Sequence, residues 1–432
     1  MAARTGIPSG DPNAGRRATR PPVRRHSPAL QSPRVLLLLI VLGILMRFVI
    51  AACSWGTNDT VSFFRFAKEI QRHGLLGTYR IDSDLNHPPL PAYWAWFAMH
   101  VTRSARDADP TSDAPESEEE VVRQAYAFAF VFRSVVILGD VASTWLLWKL
   151  WSRRAGSRRG LAVAALYAWS PAAMLISGYH CNTDPIYAFL CLLSIYLLEE
   201  SYSPFLAGLA LAGAINIKLI PVLLIVPLVL SFRSWSAAGR FVAGLVPGVI
   251  PFVPPLIWAG SSFANNALAY KSSAVSWGIN FFLLFDAPPD APSHLPPIAQ
   301  IFHDYGRFVL LFLVLGWSVL ARVRGPWSRY DLAAVTFALF LVFAPGFGVQ
   351  YTIILLPLLF AQHPRLATIY GAGAGLFLLG AYMVYWDGGF PISSLFSRNL
   401  PPVVGVIGLL PWGLLIFYIG YVLRTGSRAS RV

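Results

Sequence analysis

The chain has 432 residues, of which 56% are hydrophobic and 13% are charged, and its mean hydropathy is +0.56. Soluble domains carry about 25% charged residues, so this composition excludes an ordinary soluble protein and predicts a polytopic membrane protein. The net charge of +13 does not indicate a nucleic-acid partner, because the basic residues are concentrated in short segments between apolar runs.

The N-terminal 34 residues contain seven arginines, several prolines and a single acid, Asp11. They show no apolar periodicity, so we predict a disordered basic tail. The next segment, 35–52, is apolar apart from Arg47, and no Ala-x-Ala-type site follows it. A retained first membrane span is therefore expected rather than a cleaved signal peptide. The predicted membrane domain covers residues 35–424, and a second short tail follows at 425–432.

Apolar segments that could cross a membrane recur along the whole chain, since a spanning helix needs about 20 apolar residues. The candidate spans are 35–52, 124–149, 160–178, 184–199, 204–217, 219–232, 240–259, 306–321, 330–345, 350–362, 366–386 and 401–423. A further piece, 88–101, is short and opens with two prolines, so it is predicted to be re-entrant or interfacial. We therefore predict an all-α bundle of 11–13 transmembrane helices.

The positions of the arginines predict the orientation of this bundle in the membrane. With the N-terminus in the cytoplasm, every short loop that carries two or more arginines falls on the cytoplasmic side. Both termini are then cytoplasmic, and two long loops, 53–123 and 260–305, lie on the outer face. Polar residues that could take part in a reaction are concentrated in these outer segments.

Asp59 is the first such residue, directly after the first span. The segment 61–72 that follows is amphipathic, with apolar residues on one side and basic or acidic residues on the other, which is typical of a helix lying in the membrane interface. Asp59 could act as a general base in a cleft. Its alternative role is only to cap the helix that follows, because Asp is a good N-cap residue.

The same loop continues through Thr78-Tyr79-Arg80-Ile81-Asp82 to Asn86-His87-Pro88-Pro89-Leu90 and Tyr93. The prolines fix the direction of the chain. Asn86, His87 and Tyr93 are candidate substrate contacts, although entry of a loop into a short helix explains each of them equally well.

The order of these motifs resembles the first luminal loop of the dolichyl-phosphate-glucose-dependent glucosyltransferases of the asparagine-linked glycan pathway, members of the GT-C superfamily. Bacterial polyprenyl-phosphate-mannose-dependent transferases are similar. Three later stretches carry the same resemblance: Gly178-Tyr179-His180-Cys181-Asn182-Thr183-Asp184, Asn216-Ile217-Lys218-Leu219-Ile220-Pro221 and Phe347-Gly348-Val349-Gln350-Tyr351.

The resemblance implies a GT-C-like bundle and an inverting hexosyltransferase. It would move mannose or glucose from a polyprenyl-phosphate carrier to an acceptor glycan, lipid or protein on the outer face, in contact with membrane lipids, and Asp59 matches the position of the base. No cofactor is expected. The predicted substrate-binding residues are Asn86, His87, Tyr93, His180, Asn182, Asp184, Lys218, Lys271, Gln350 and Tyr351.

Simpler explanations exist for several of these residues. Lys218 has apolar neighbours on both sides and could snorkel to the interface. Arg133 and Asp140, seven residues apart, are expected to form a structural ion pair. No spacing of His, Cys or acidic residues is diagnostic of a metal site, so none is predicted. Cys53 and Cys181 are expected to be free thiols, with a disulfide as the alternative.

Two other functional classes compete with the enzyme. A flippase or carrier of lipid-linked sugars is the main alternative, but the interiors of the predicted spans contain almost no acids and the chain shows no internal repeat. A membrane scaffold is the third possibility. The sequon Asn58-Asp59-Thr60 would place a glycan beside the proposed base in the endoplasmic reticulum, which favours a bacterial plasma membrane.

Overall fold

The computed structural model describes residues 32–102, 118–270, 272, 274–284, 295–325, 327–384 and 402–425. These residues form helices and connecting turns without a β-strand, so the predicted all-α membrane fold is confirmed. The α-helices are α1 (Pro33–Cys53), α2 (Asn58–Ile81), α3 (Pro89–Thr102), α4 (Glu118–Ala155), α5 (Ser157–Ala168), α6 (Pro171–Leu175), α7 (Asp184–Glu199), α8 (Pro204–Ile217), α9 (Ile225–Ser231), α10 (Trp235–Leu245), α11 (Val253–Trp258), α12 (Gly260–Phe263), α13 (Ile279–Leu283), α14 (Pro297–Arg324), α15 (Arg329–Phe343), α16 (Leu356–Gln362), α17 (Pro364–Val384) and α18 (Pro402–Thr425). Short 3₁₀ segments lie at Ile220–Leu224, Val246–Phe252 and Val349–Ile353, and π-helical turns at Ile176–His180 and Ala264–Leu268.

Six helices within the described ranges are long and apolar enough to cross a membrane, and a seventh candidate is the bent pair formed by α5 and the segment Pro171–His180. The six are Pro33–Cys53, Tyr126–Ala155, Trp235–Trp258, Pro297–Arg324, Pro364–Met383 and Pro402–Thr425. The protein is therefore a multi-pass integral membrane protein. The sequence predicted 11–13 spans because it also counted apolar helices that are too short to cross by themselves.

These short helices form two hairpins. In the first, α8 has 14 residues and reaches about 21 Å at 1.5 Å per residue, less than the ~30 Å hydrocarbon core. The chain turns at Lys218, whose backbone is extended, and returns through Pro221 and α9. In the second hairpin, α15 ends at Phe343, just before Ala344 and Pro345, because the residue before a proline disfavours helical geometry. The chain then returns through α16.

Side-chain contacts show which helix ends meet. Arg154 pairs with Glu200 at 2.6 Å, and Arg329 pairs with Glu199 at 3.6 Å, so α4, α7 and α15 meet at one end of the bundle. Arg322 of α14 donates to the Phe232 carbonyl after α9, at 2.9 Å, at this same arginine-bearing end. The turns of both hairpins lie toward the opposite end, where the candidate functional site lies.

Two arginines are buried inside the bundle, and they correct one prediction. Arg47 of α1 pairs with Asp140 of α4 at 3.1 Å, and both side chains are 1% exposed. The Tyr167 hydroxyl donates to the same carboxylate at 2.7 Å. The expected pair between Arg133 and Asp140 is wrong, because seven helical residues separate the two by about 10.5 Å along the axis. Arg133 instead binds backbone carbonyls.

Two segments of the first predicted outer loop form helices. The amphipathic segment lies within α2, which is interrupted at Gly74, where φ is +68°. The short apolar piece forms α3 and is not among the membrane-spanning helices. Cys53 and Cys181 are free thiols, as expected.

Candidate functional site

A cavity of about 750 Å³ lies between the N-terminus of α2, both hairpin turns, residues 267–270 and 272, and the first half of α14. This volume is within the roughly 300–1,000 Å³ range of small-molecule sites. Apolar groups such as Phe63, Phe66 and Phe340 contribute part of the wall. Its polar side chains include Asn58, Asp59, Arg65, Asn86, His87, Asn182, Lys218, Tyr270, His303, Arg307, Gln350 and Tyr351.

Asp59 is held in this cavity by the segment between the π turn and α7. The His180 ring nitrogen Nε2 lies 3.1 Å from its Oδ2 atom, and the Asn182 side-chain amide donates to that same oxygen. The Tyr382 hydroxyl, from α17, lies 2.9 Å from the other ring nitrogen of His180. The Asp59 side chain nevertheless remains 34% exposed. Its carboxylate is therefore fixed in place and still accessible from the cavity.

Backbone geometry explains this arrangement. Gly56 has φ +102°, and a Cβ there would come within 2.6 Å of the Tyr179 carbonyl oxygen, so only glycine allows the two segments to approach. The Thr57 hydroxyl donates to the His180 carbonyl at 2.6 Å. Cys181 adopts the left-handed conformation, with φ +63°, which lets both of its neighbours contact Asp59.

The ionisation of Asp59 follows from these contacts. Burial alone would raise the pKa of its carboxyl group, but the hydrogen bond and charge of His180, the Asn182 amide and the charge of Lys218 together lower it to about 2. Because that value lies below the ordinary 3.8, the group is a carboxylate throughout the physiological pH range.

Lys218 contributes a cation at the turn of the first hairpin. Its Nζ atom lies 2.9 Å from Asp184 Oδ2, and the two side chains are 16% and 0% exposed. The ammonium group also lies 4.6 Å from the centre of the Tyr351 ring. The Tyr187 hydroxyl donates to the second oxygen of Asp184 at 2.8 Å. Lys218 therefore lies at the cavity, where the fixed carboxylate of Asp184 holds its ammonium group.

His87 lies against the ring of Phe63, with centroids 4.7 Å apart. Its Nδ1 is 2.5 Å from the Asn86 side-chain oxygen, while its buried Nε2 has no hydrogen-bond partner among the described residues. Burial lowers the pKa of His87 to about 3, and the charge of Lys218 acts in the same direction. His87 is therefore neutral, and since Asn86 accepts the Nδ1 proton, Nε2 is a free acceptor.

The first half of α14 supplies two more basic side chains. Arg307 is exposed and lines the cavity. His303 lies one helical turn earlier, with Nε2 3.2 Å from the Ser272 carbonyl oxygen. The sequence analysis missed His303 and Tyr382. A helical spacing of four residues on α14 was the available signal for His303, whereas Tyr382 contacts His180 across 202 positions.

Most of the predicted site residues meet in one place. The predicted residues that line the cavity are Asp59, Asn86, His87, Asn182, Lys218, Gln350 and Tyr351. His180 and Asp184 lie behind it and position Asp59 and Lys218. Tyr93 is 51% exposed on α3 and is not among the cavity residues. Lys271 lies outside the described residues. No group of three or more metal-ligating side chains occurs in the described part of the chain.

The fold and this cavity define a multi-pass membrane protein with a polar cavity near one end of its helical bundle. A family model described as GPI transamidase subunit PIG-U matches residues 85–285, slightly less than half of the chain. The matched part begins just before α3, ends just after α13 and includes His87, Asn182 and Lys218. A search of curated proteins found no match.

This match corrects the functional interpretation of the sequence. The predicted assignment to the GT-C superfamily is wrong, because the members of the matching family are described as a transamidase subunit. The predicted hexosyl transfer and the predicted polyprenyl-phosphate-sugar donor are wrong for the same reason. The family match does not support the alternative function as a flippase or transporter. It also does not support the predicted location in a bacterial plasma membrane. The motifs that suggested a glycosyltransferase are short turns at helix ends, and turns of this kind fix where a cavity forms without fixing its chemistry.

Proposed function

We propose that this protein is a membrane subunit of a GPI transamidase-type complex and that its cavity holds the headgroup of the lipid-linked substrate. The family match over residues 85–285 is the observation that carries this proposal. A GPI transamidase attaches a glycolipid anchor to a protein, so the complex needs a component that holds the lipid. Binding, rather than bond formation, is the role assigned to this chain.

The geometry supports a binding role. The cavity combines apolar walls with a few fixed polar groups, which is typical of small-molecule sites. Asp59 and Lys218 are each held by a neighbouring side chain, so little ordering is needed when a ligand binds. The cavity lies away from the arginine-bearing end of the bundle. By the positive-inside rule, we assign that end to the cytoplasm and the cavity to the outer or luminal side.

Replacement of PIG-U in cells tests this function. In cells whose own PIG-U gene is disrupted, expression of this protein is expected to restore surface display of a GPI-anchored reporter, measured by flow cytometry. The Asp59→Ala variant is expected to reduce display at least tenfold, because it removes the fixed carboxylate. The Glu69→Gln variant changes an acid on the same helix, outside the cavity, and should match the wild type.

Reporter display is compared between cells whose isolated membranes contain equal amounts of the wild-type or variant protein. Absence of reporter from the surface despite normal membrane insertion of the wild-type protein would contradict the proposal. Equal display by the Asp59→Ala and Glu69→Gln variants would exclude the cavity from the function.

A further inference from the structure

A second cluster of polar side chains lies at the arginine-bearing end of the bundle, away from the cavity. Its centre is the aromatic ring of Tyr196, near the end of α7. The Lys149 Nζ atom and the Arg153 guanidinium carbon, both on α4, each lie 5.7 Å from the centre of this ring. Two cations from successive turns of α4 therefore converge on one tyrosine.

The positive charge of this cluster is not neutralised within the described part of the chain. Neither Lys149 nor Arg153 forms an ion pair with a carboxylate there. Glu200, at the end of α7, is already paired with Arg154 at 2.6 Å, and the acid before it pairs with an arginine of α15. Like charges four residues apart on a helix repel each other. An anion between Lys149 and Arg153 would replace this repulsion by attraction.

The Tyr196 hydroxyl provides a second, independent observation. Tyr196 is only 3% exposed, and its buried hydroxyl has no hydrogen-bond partner among the described residues. Buried polar groups are ordinarily hydrogen-bonded, so this position favours a ligand that accepts a hydrogen bond. Lys149 is partly exposed and Arg153 is exposed, so both long side chains can move to admit such a ligand. A hydroxyl donor beside two cations suits a phosphate oxygen.

The membrane side of the cluster is apolar and aromatic. Trp145 lies one helical turn before Lys149, is 49% exposed, and has its ring centre 4.9 Å from the lysine Nζ atom. Leu138, two turns further into the membrane-spanning helix Tyr126–Ala155, is 56% exposed. Tryptophan is enriched at the boundary between headgroups and acyl chains. A soluble phosphate would contact only the polar part of this surface, whereas a phospholipid would contact both parts.

We propose that Trp145, Lys149, Arg153 and Tyr196 form a binding site, the α4–α7 site, for an anionic phospholipid of the cytoplasmic leaflet. The phosphate lies between Lys149 and Arg153 and accepts a hydrogen bond from the Tyr196 hydroxyl, while an acyl chain packs along Trp145. Anionic lipids of that leaflet attract basic side chains at helix ends. The α4–α7 site is distinct from the cavity, so this inference does not depend on the proposed function.

Lipid titration of the purified protein in detergent tests the α4–α7 site, with native mass spectrometry counting bound lipids. Phosphatidylglycerol is compared with phosphatidylcholine of the same acyl chains, and the first anionic lipid is expected to bind at least about tenfold more tightly. Lys149→Gln/Arg153→Gln should reduce this preference to within about threefold. Arg233→Gln/Arg240→Gln, which changes the net charge equally at exposed positions outside the site, should retain it.

The Tyr196→Phe variant separates lipid binding from a structural role. Because the hydroxyl has no partner, its removal should not lower the unfolding midpoint in lipid-free detergent. The same change should weaken phosphatidylglycerol binding about threefold to tenfold, since one hydrogen bond to a charged group is lost. A lower midpoint together with unchanged lipid affinity would show that the hydroxyl is only structural and would overturn its assigned role.

A soluble headgroup distinguishes a lipid site from a phosphate site. Glycerophosphoglycerol, which lacks acyl chains, is expected to bind at least about tenfold more weakly than phosphatidylglycerol, because it leaves the apolar surface at Trp145 uncovered. Equal affinity for the headgroup and the lipid would overturn the assignment to a lipid. Equal affinity for the two lipids would overturn the α4–α7 site altogether, and so would an unchanged preference in Lys149→Gln/Arg153→Gln. Reporter display remains the separate test of the proposed function.

Discussion

Replacing Arg133 with methionine is expected to lower the free energy of unfolding by at least about 3 kcal/mol. Arg133 is 0% exposed, and its guanidinium group donates to the carbonyls of Ala51, Gly178 and Tyr179 at 3.0, 3.0 and 3.2 Å. Its Nη1 atom also donates to the Ser54 hydroxyl at 3.0 Å. One side chain thus joins the end of α1 to the π turn that carries His180.

Methionine has a similar length but no donor, so these carbonyls would remain buried without partners. The unfolding midpoint in detergent is the measurement, and Arg153→Met is the matched control, because Arg153 is exposed near the end of the same helix. Arg133→Lys should fall between the two, since an ammonium group cannot reproduce the planar fork. Equal midpoints for Arg133→Met and Arg153→Met would show that the buried arginine does not hold the segment.

Replacing Lys218 with methionine is expected to cost about 3–5 kcal/mol, because Asp184 would then be a buried carboxylate without a cation. Changing both residues, in Lys218→Met/Asp184→Leu, should recover most of this loss, since removing a whole buried ion pair is often nearly neutral. The double variant therefore folds but lacks the cation of the cavity. Surface display of the GPI-anchored reporter is expected to remain at least tenfold below the wild type.

The pair formed by Arg47 and Asp140 offers a matched control, because both side chains are 1% exposed and neither lines the cavity. Arg47→Met/Asp140→Leu should recover less of its stability, because Arg47 also donates to the Ser177 hydroxyl and the Gly43 carbonyl, but the folded variant should retain reporter display. Display at the wild-type level in the Lys218→Met/Asp184→Leu variant would show that Lys218 has only a structural role.

The sequence predicted the components of the site better than their connections. Asp59, Asn182 and Lys218 were recognised because each is a polar residue at the end of an apolar segment, and such positions tend to meet at the same end of a helical bundle. The partner of Arg47 was missed, because local spacing favoured a pair within α4 and the actual contact joins residues 93 positions apart. Tyr382 was missed for the same reason.

The number of membrane spans and the function were harder to predict, for different physical reasons. Hydropathy indicates that a segment lies in an apolar environment, but it does not show whether the helix crosses the whole membrane. The short helices α8, α9, α15 and α16 were therefore predicted to be complete spans. Function depends on the chemistry of a ligand that a cavity admits, and short motifs at helix ends do not encode this chemistry. Their order resembled a glycosyltransferase, whereas the family match over residues 85–285 is to a transamidase subunit.

Assembly with the other subunits of a GPI transamidase is the most direct test of this account. An affinity-tagged copy is expressed in cells with a disrupted PIG-U gene, extracted in mild detergent and analysed by native electrophoresis and quantitative mass spectrometry. We expect the protein to migrate with the remaining transamidase subunits in a fixed stoichiometric ratio, and Glu69→Gln to do the same. A well-folded protein that migrates alone, with no transamidase subunit above the level of an unrelated tagged membrane protein, would contradict the central claim.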